Sequence, residues 1–190
     1  MKKLERYLSE PELVRLGAVL AAARASPDAT RQTVAGVITL LLLTGCRRGE
    51  ILRLRWGDVR GQRIRLAEAK AGPRTVWLGA EARTVIDGLP RTAKSTWLFA
   101  GRKGPLSGCT LASVWSDIRT RADLAGVRIH DLRHTFASHA AQAHEALPMI
   151  GKLLGHASLN STARYAHLDD AGVMAENERV GKRLVELLDG

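Results

Sequence analysis

Hydrophobic residues recur at helical spacing over most of the chain and alternate with polar ones over one short stretch. Leu13, Leu16, Val19 and Leu20 share one face of a helix that runs to about Ala25. Ahead of it, Ser9-Glu10-Pro11-Glu12 reads as a capping box, with Ser9 as N-cap and Glu12 three residues on. Ser26-Pro27-Asp28 breaks this helix and starts another over 29–44, which Gly45 ends. Ile51, Leu52 and Leu54 form the apolar side of a short helix that stops near Gly57. Between Gln62 and Leu78 the period changes to two. Ile64 and Leu66 alternate with Arg63 and Arg65, Ala71-Gly72-Pro73 turns the chain, and Thr75-Val76-Trp77-Leu78 continues extended. The pattern predicts a hairpin with Lys70 at its tip. A helix over 80–89 follows, and Trp97-Leu98-Phe99 offers a third short strand. Further helices are predicted over about 110–123, 130–143, 147–154, 160–166 and 172–188, punctuated by Gly126, Pro148, Gly155 and Gly172. The predicted fold class is α+β, mainly α: one helical domain with a small antiparallel sheet of three short strands.

Composition narrows the function more than the fold. At 190 residues, 45% hydrophobic and 25% charged, the chain is long enough for a hydrophobic core and ordinary for a globular protein. The longest apolar run, Val34 to Leu43, is interrupted by Gly36 and Thr39 and is far short of a membrane span. Glu5, Glu10 and Glu12 stand where a secretory signal would be apolar, so none is predicted. Two cysteines, Cys46 and Cys109, make no disulfide framework, and a reducing cytoplasm is the expected compartment. The net charge of +10 and a pI near 10.4 suit a polyanionic partner, nucleic acid first. A solvated basic surface is the alternative. With only 4% aromatics, stacking platforms for single strands are not expected, and a duplex gripped by its phosphates fits better.

The chemistry-bearing residues lie in separated segments. His130-Asp131-Leu132-Arg133-His134 opens a helix, where residues three and four apart share a face. Histidines at i and i+4 could hold zinc, but Asp131 replaces the glutamate of the familiar zinc motif and Arg133 brings a cation, so no metal is expected. Thr44-Gly45-Cys46-Arg47-Arg48-Gly49-Glu50 places an arginine just past a glycine-ended helix. Lys70 sits on the hairpin turn, Leu153-Leu154-Gly155-His156 sets a histidine after another glycine stop, and Tyr165 follows nine residues later.

In that order these segments resemble the catalytic domain of the tyrosine recombinase family, of the phage-integrase type. The resemblance assigns the family's motif positions to Arg47, Lys70, His130, Arg133, His156 and Tyr165, with Glu50 at the acidic position after the first arginine. It implies a site-specific DNA recombinase that cleaves and rejoins strands through a 3′-phosphotyrosyl intermediate, without metal, ATP or any other cofactor. The residue types suit that chemistry. A covalent ester to a protein nucleophile conserves the energy of the broken phosphodiester. A phenol with a pKa of about 10 is ionised in only about one molecule in a thousand at neutral pH, so the site must assist it. Arg47 and Arg133, permanently charged and fork-shaped, suit the non-bridging oxygens of the transition state. Lys70 is the implied general acid for the departing 5′-oxygen. His130 is the proton-transfer partner for Tyr165, His156 donates to the phosphate and Glu50 orients its neighbours. Which histidine carries the decisive proton transfer stays open. Arg74, on the hairpin, reads equally as a phosphate contact or a solvated strand cation.

The resemblance also sets expectations for organisation. Residues 1–8 read as a remnant interdomain linker, 9–171 as the catalytic domain and 172–190 as a C-terminal helix able to pack on a neighbouring subunit; the N-terminal core-binding domain is absent. The expected partner is double-stranded DNA, bound weakly and with little sequence choice by this piece alone. Self-association to a tetramer is expected on DNA, with the isolated chain a monomer, in a bacterial cytoplasm at the nucleoid. A type IB topoisomerase-like relaxing enzyme and a non-catalytic DNA-binding remnant are the alternatives.

Overall fold

Ser9 caps the first helix as its sequence predicts: the Glu12 carboxylate accepts the Ser9 N–H at 2.9 Å and its hydroxyl at 3.0 Å. The computed structural model describes residues 6–67, 72–91, 95–143, 145–156, 162, 163 and 165. Helix α1 spans Glu10–Arg24 and α2 spans Ala29–Thr44. Asp28 caps α2 by accepting the N–H groups of Thr30 and Arg31. Gly45, at φ 60°, closes it in the left-handed conformation that glycine adopts without steric cost. Short α3, Arg48–Leu52, leads through a 3₁₀ turn at Trp56–Asp58 into the sheet. The later helices are α4 (Ala80–Asp87), α5 (Gly108–Arg121), α6 (Asp131–Gln142) and α7 (Leu147–Leu154).

The sheet is three-stranded and antiparallel, in the order β1 (Val59–Arg60), β2 (Arg63–Leu66), β3 (Arg74–Trp77). Ile64 lies opposite Val76 with both side chains buried, and Arg63 lies opposite Trp77 on the exposed face, its guanidinium 4.7 Å from the ring centre. The third strand is therefore Val59–Arg60 and not the predicted 97–99. Trp97 makes a single bridge to Arg55, while Leu98 and Phe99 are drawn into the core. Their apolar run signals burial, which periodicity alone does not distinguish from a strand. A separate two-residue ladder joins β4 (Ala100–Gly101) to β5 (Gly104–Pro105).

The chain divides into two units, residues 1–136 and 137–190. In the first, α1 packs on α2 and α5, and α2 also packs on α4. Leu16, Ile38, Leu40, Phe99 and Leu111 are fully buried there. Each such side chain contributes about 1.5–3 kcal/mol of burial free energy. Leu8 joins this core, and its N–H donates to Thr135 Oγ1 at 3.0 Å. In the second unit Ile150 and Leu154 of α7 are fully buried. The predicted helix over 172–188 lies outside the described residues, and 160–166 is described only at Thr162, Ala163 and Tyr165.

Candidate active site

The end of α2 begins the site. Once Gly45 has turned the chain out of the helix, its carbonyl accepts the Arg133 guanidinium at 2.6 Å. Two residues on, Arg47 is the N-cap of α3, and Glu50 reaches back to its N–H at 2.8 Å. The same carboxylate then bridges two guanidiniums: Arg47 Nη1 to Oε1 at 3.1 Å and Arg74 Nη2 to Oε2 at 2.9 Å. Arg74 reaches it because its place on β3 turns the side chain inward, where it also contacts Cys46 Sγ at 3.6 Å. At 12% exposure the Arg74 side chain is not the solvated strand cation offered as one reading.

Charge in this cluster is unevenly balanced. Burial pushes Glu50 up, but the Arg47 N–H and the Arg74 and Arg47 guanidiniums outweigh it and hold the carboxyl below its ordinary value. Burial, followed by the positive charge of Arg47, lowers Arg133 to about 10. Among the described residues Arg47 and Arg74 pair with the Glu50 carboxylate while Arg133 donates to the Gly45 carbonyl beside them, and the buried Arg133 bears the electrostatic cost of its positive neighbours. An anion placed among them would remove that cost.

Asp131 secures the start of α6. Its buried carboxylate accepts the Arg128 N–H at 2.8 Å and the Arg128 guanidinium at 2.6 Å. This holds the turn from which His130 and Arg133 project. His130 meets His134 edge to face, ring centres 4.9 Å apart. Burial, then the Arg133 charge, lowers His130 from the usual 6.5, so its imidazole is neutral at neutral pH and able to accept a proton.

Within the second unit, Gly155 at φ 65° ends α7 as the sequence predicts. The His156 N–H then donates to Gly151 O at 2.9 Å. His156 Nδ1 shares a 2.8 Å hydrogen bond with Thr162 Oγ1, and the Tyr165 N–H donates to Thr162 O at 3.0 Å. Thr162, fully buried, links the histidine to the tyrosine, which is itself 3% exposed. Sequence reasoning passed over Thr162; its one available signal is a hydroxyl at i−3 from Tyr165.

Of the residues singled out, Arg47, Glu50, Arg74, His130 and Arg133 thus fall in the first unit, His156 and Tyr165 in the second. Lys70 lies outside the described residues, between β2 and β3. Among the described residues no cluster of His, Cys, Asp and Glu could hold a metal ion. No helix among them is long and apolar enough to cross a membrane.

Comparison with known proteins gives this arrangement its context. The model of the phage integrase family matches residues 6–171. The chain is 33% identical over 151 residues to tyrosine recombinase XerC of Erythrobacter litoralis, covering 75% of this chain and 49% of that protein. It spans about half the length of the curated relatives it matches. Among solved structures, XerH site-specific recombinase bound to a palindromic difH substrate, a post-cleavage complex, superposes with a TM-score of 0.76 at 25% identity, over 92% of this chain and 53% of that one. The catalytic domain of bacteriophage HP1 integrase matches with a TM-score of 0.67 at 26% identity, over 90% of this chain and 93% of that one. A family match across most of the length, and a fold shared nearly end to end with a phage catalytic domain, lead to one assignment: the chain belongs to the phage integrase family.

Proposed function

We propose that this chain is the catalytic part of a site-specific DNA recombinase, cutting and rejoining duplex strands through a tyrosyl–phosphate ester. The observation that carries the reading is the gathering of Arg133, on the Gly45 carbonyl, with Arg47 and Arg74, which share the Glu50 carboxylate. Their positive charge suits a phosphodiester, and Tyr165 stands at the position that the sequence resemblance implies for the nucleophile.

In this reading Arg47 and Arg133 bind the non-bridging oxygens, whose charge grows as phosphorus becomes five-coordinate. The Tyr165 phenolate oxygen forms the new bond to phosphorus, and the bond to the 5′-oxygen breaks. The phenol's proton passes to a neutral imidazole, for which His130 is suited, and Lys70 protonates the departing 5′-oxygen. Attack by a 5′-hydroxyl on the ester reverses each step, so no external energy is consumed. His156, held by Thr162, donates to the same phosphate, and Glu50 keeps Arg47 in place. One active copy for each strand cut gives a tetramer on DNA, working at the bacterial nucleoid.

The test is a nicked suicide duplex incubated with wild type and with Tyr165→Phe, without added metal. The expected result is a covalent protein–DNA band on a denaturing gel that the variant lacks. An adduct that persists in Tyr165→Phe overturns the assignment of the nucleophile, and duplex binding without any adduct favours a DNA-binding remnant.

A further inference from the structure

Beside Arg47 the surface opens into a groove of about 440 Å³ between α3, the 3₁₀ turn, β2 and Trp97. Arg53, Arg55 and Arg65 line it together with Arg47. Two carboxylates also line it, and both are engaged: Glu50 by Arg47 and Arg74, and Asp58 by the Arg55 N–H at 2.8 Å. The Arg55 guanidinium carbon lies over Trp97, 4.5 Å from the ring centre, a cation–π contact that favours this placement. Arg53 and Arg65 are exposed, and among the described residues neither has an ion-pair partner. Arg6, Arg31, Arg83, Arg121 and Arg128 each meet a carboxylate elsewhere in the fold, so what sets Arg53 and Arg65 apart is their place in one groove with Arg47 and Arg55. One guanidinium stacked on Trp97 and two without an ion-pair partner among the described residues share the groove with Arg47, and its volume leaves room for more than a single ion.

Resting on the function proposed above, we infer that this groove holds the sugar–phosphate backbone next to the phosphate under attack, with Arg53 and Arg65 as positioning residues. The partner is the phosphodiester chain of duplex DNA. The charge of the groove complements it, and the groove is continuous with Arg47, which the same strand must reach. Arg53 and Arg65 act on affinity and register and do not touch the reacting atoms.

The experiment measures binding of a mixed-sequence duplex against salt for wild type, Arg53→Gln/Arg65→Gln and Arg15→Gln/Arg121→Gln. The last removes the same charge from α1 and α5, where Arg15 contacts Ala122 O and Arg121 pairs with Asp117. Each lost phosphate contact flattens the log–log salt slope by about 1, so the groove variant is expected to lose about 2 and the control far less. In parallel, phenylglyoxal labelling read by mass spectrometry is expected to slow severalfold at Arg53 and Arg65 when duplex is present, and to be unchanged at Arg121. A slope change no larger than the control's, or labelling of Arg53 and Arg65 indifferent to DNA, overturns the inference. If the wild type neither binds duplex nor forms a Tyr165-dependent adduct, the proposed function falls instead. An adduct with an unaltered groove slope removes only the groove.

Discussion

At Glu50 two guanidiniums share one carboxylate, Arg47 on Oε1 and Arg74 on Oε2, and the side chain is only 6% exposed. Replacing it by glutamine keeps the shape and removes the one negative charge. Arg74, half-buried, and Arg133, buried, are then left facing each other's charge. Breaking a buried pair of this kind costs roughly 3 kcal/mol, a fall of about 6–12 °C in melting temperature for a chain of this length. Glu50→Gln should show that fall in thermal denaturation, and melting within a degree of wild type would refute the account. The spacing Arg47-x-x-Glu50 is legible in sequence because a capping box is a three-residue relation. The Arg74 link is not, since it joins positions that only the β3 register brings to Glu50.

Among the elements, helix signals are legible in the sequence because caps and periods act within a turn or two. Asp28 and Gly45 bound α2 at the residues predicted, and Gly155 ends α7 likewise. Strand signals were weaker. Val59–Arg60 is two residues long and shows no period, whereas Trp97–Phe99 looks extended, yet Leu98 and Phe99 enter the core and Trp97 makes only a single bridge. Two glycines test how far the elements dictate residue choice. Gly17 on the exposed face of α1 has nothing within 4 Å of an added Cβ, so Gly17→Ala should stabilise by about 1 kcal/mol through helix propensity. At Gly101 a Cβ would stand 2.9 Å from Pro105 O and 3.3 Å from Leu106 Cα, both backbone atoms. Gly101→Ala should therefore destabilise by about 1–3 kcal/mol. Urea midpoints of the two variants must move in opposite directions; a shared sign contradicts the packing described.

For the whole molecule, acid is the expected weakness. The Arg6 hydrogen bond holds Glu12 at about 2, against an ordinary 4.5. Glu50, Asp117 and Asp131 are also held below their ordinary values, Asp117 chiefly by Arg31, and Glu50 and Asp131 against the opposing effect of burial. A carboxyl whose folded pKa is lowered stabilises fully above its unfolded pKa and loses that contribution as pH falls toward the folded value. Stability measured by urea midpoint should begin to fall below about 6.5, where the unfolded chain protonates His130 before the folded one does, and should decline further below about pH 5 as carboxylates protonate and the +10 net charge grows. Glu12→Gln should be less stable than wild type at pH 7, with the gap closing between 4.5 and about 2. A gap independent of pH would show that the Arg6–Glu12 pair is not its source.

The sequence alone determined the longer helices among the described residues, the glycine stops at Gly45 and Gly155 and the order of the motif residues, because these rest on interactions between near neighbours in the chain. It also carried the basic charge that points to nucleic acid and the resemblance that the family match supports. Tertiary structure decided what those residues meet. It brought Arg133 to the Gly45 carbonyl, Arg74 to Glu50, and Thr162 between His156 and Tyr165. It also turned Arg53, Arg55 and Arg65 into one groove with Arg47. Contacts between distant segments depend on how whole elements pack and close the chain upon itself, and no local spacing records that.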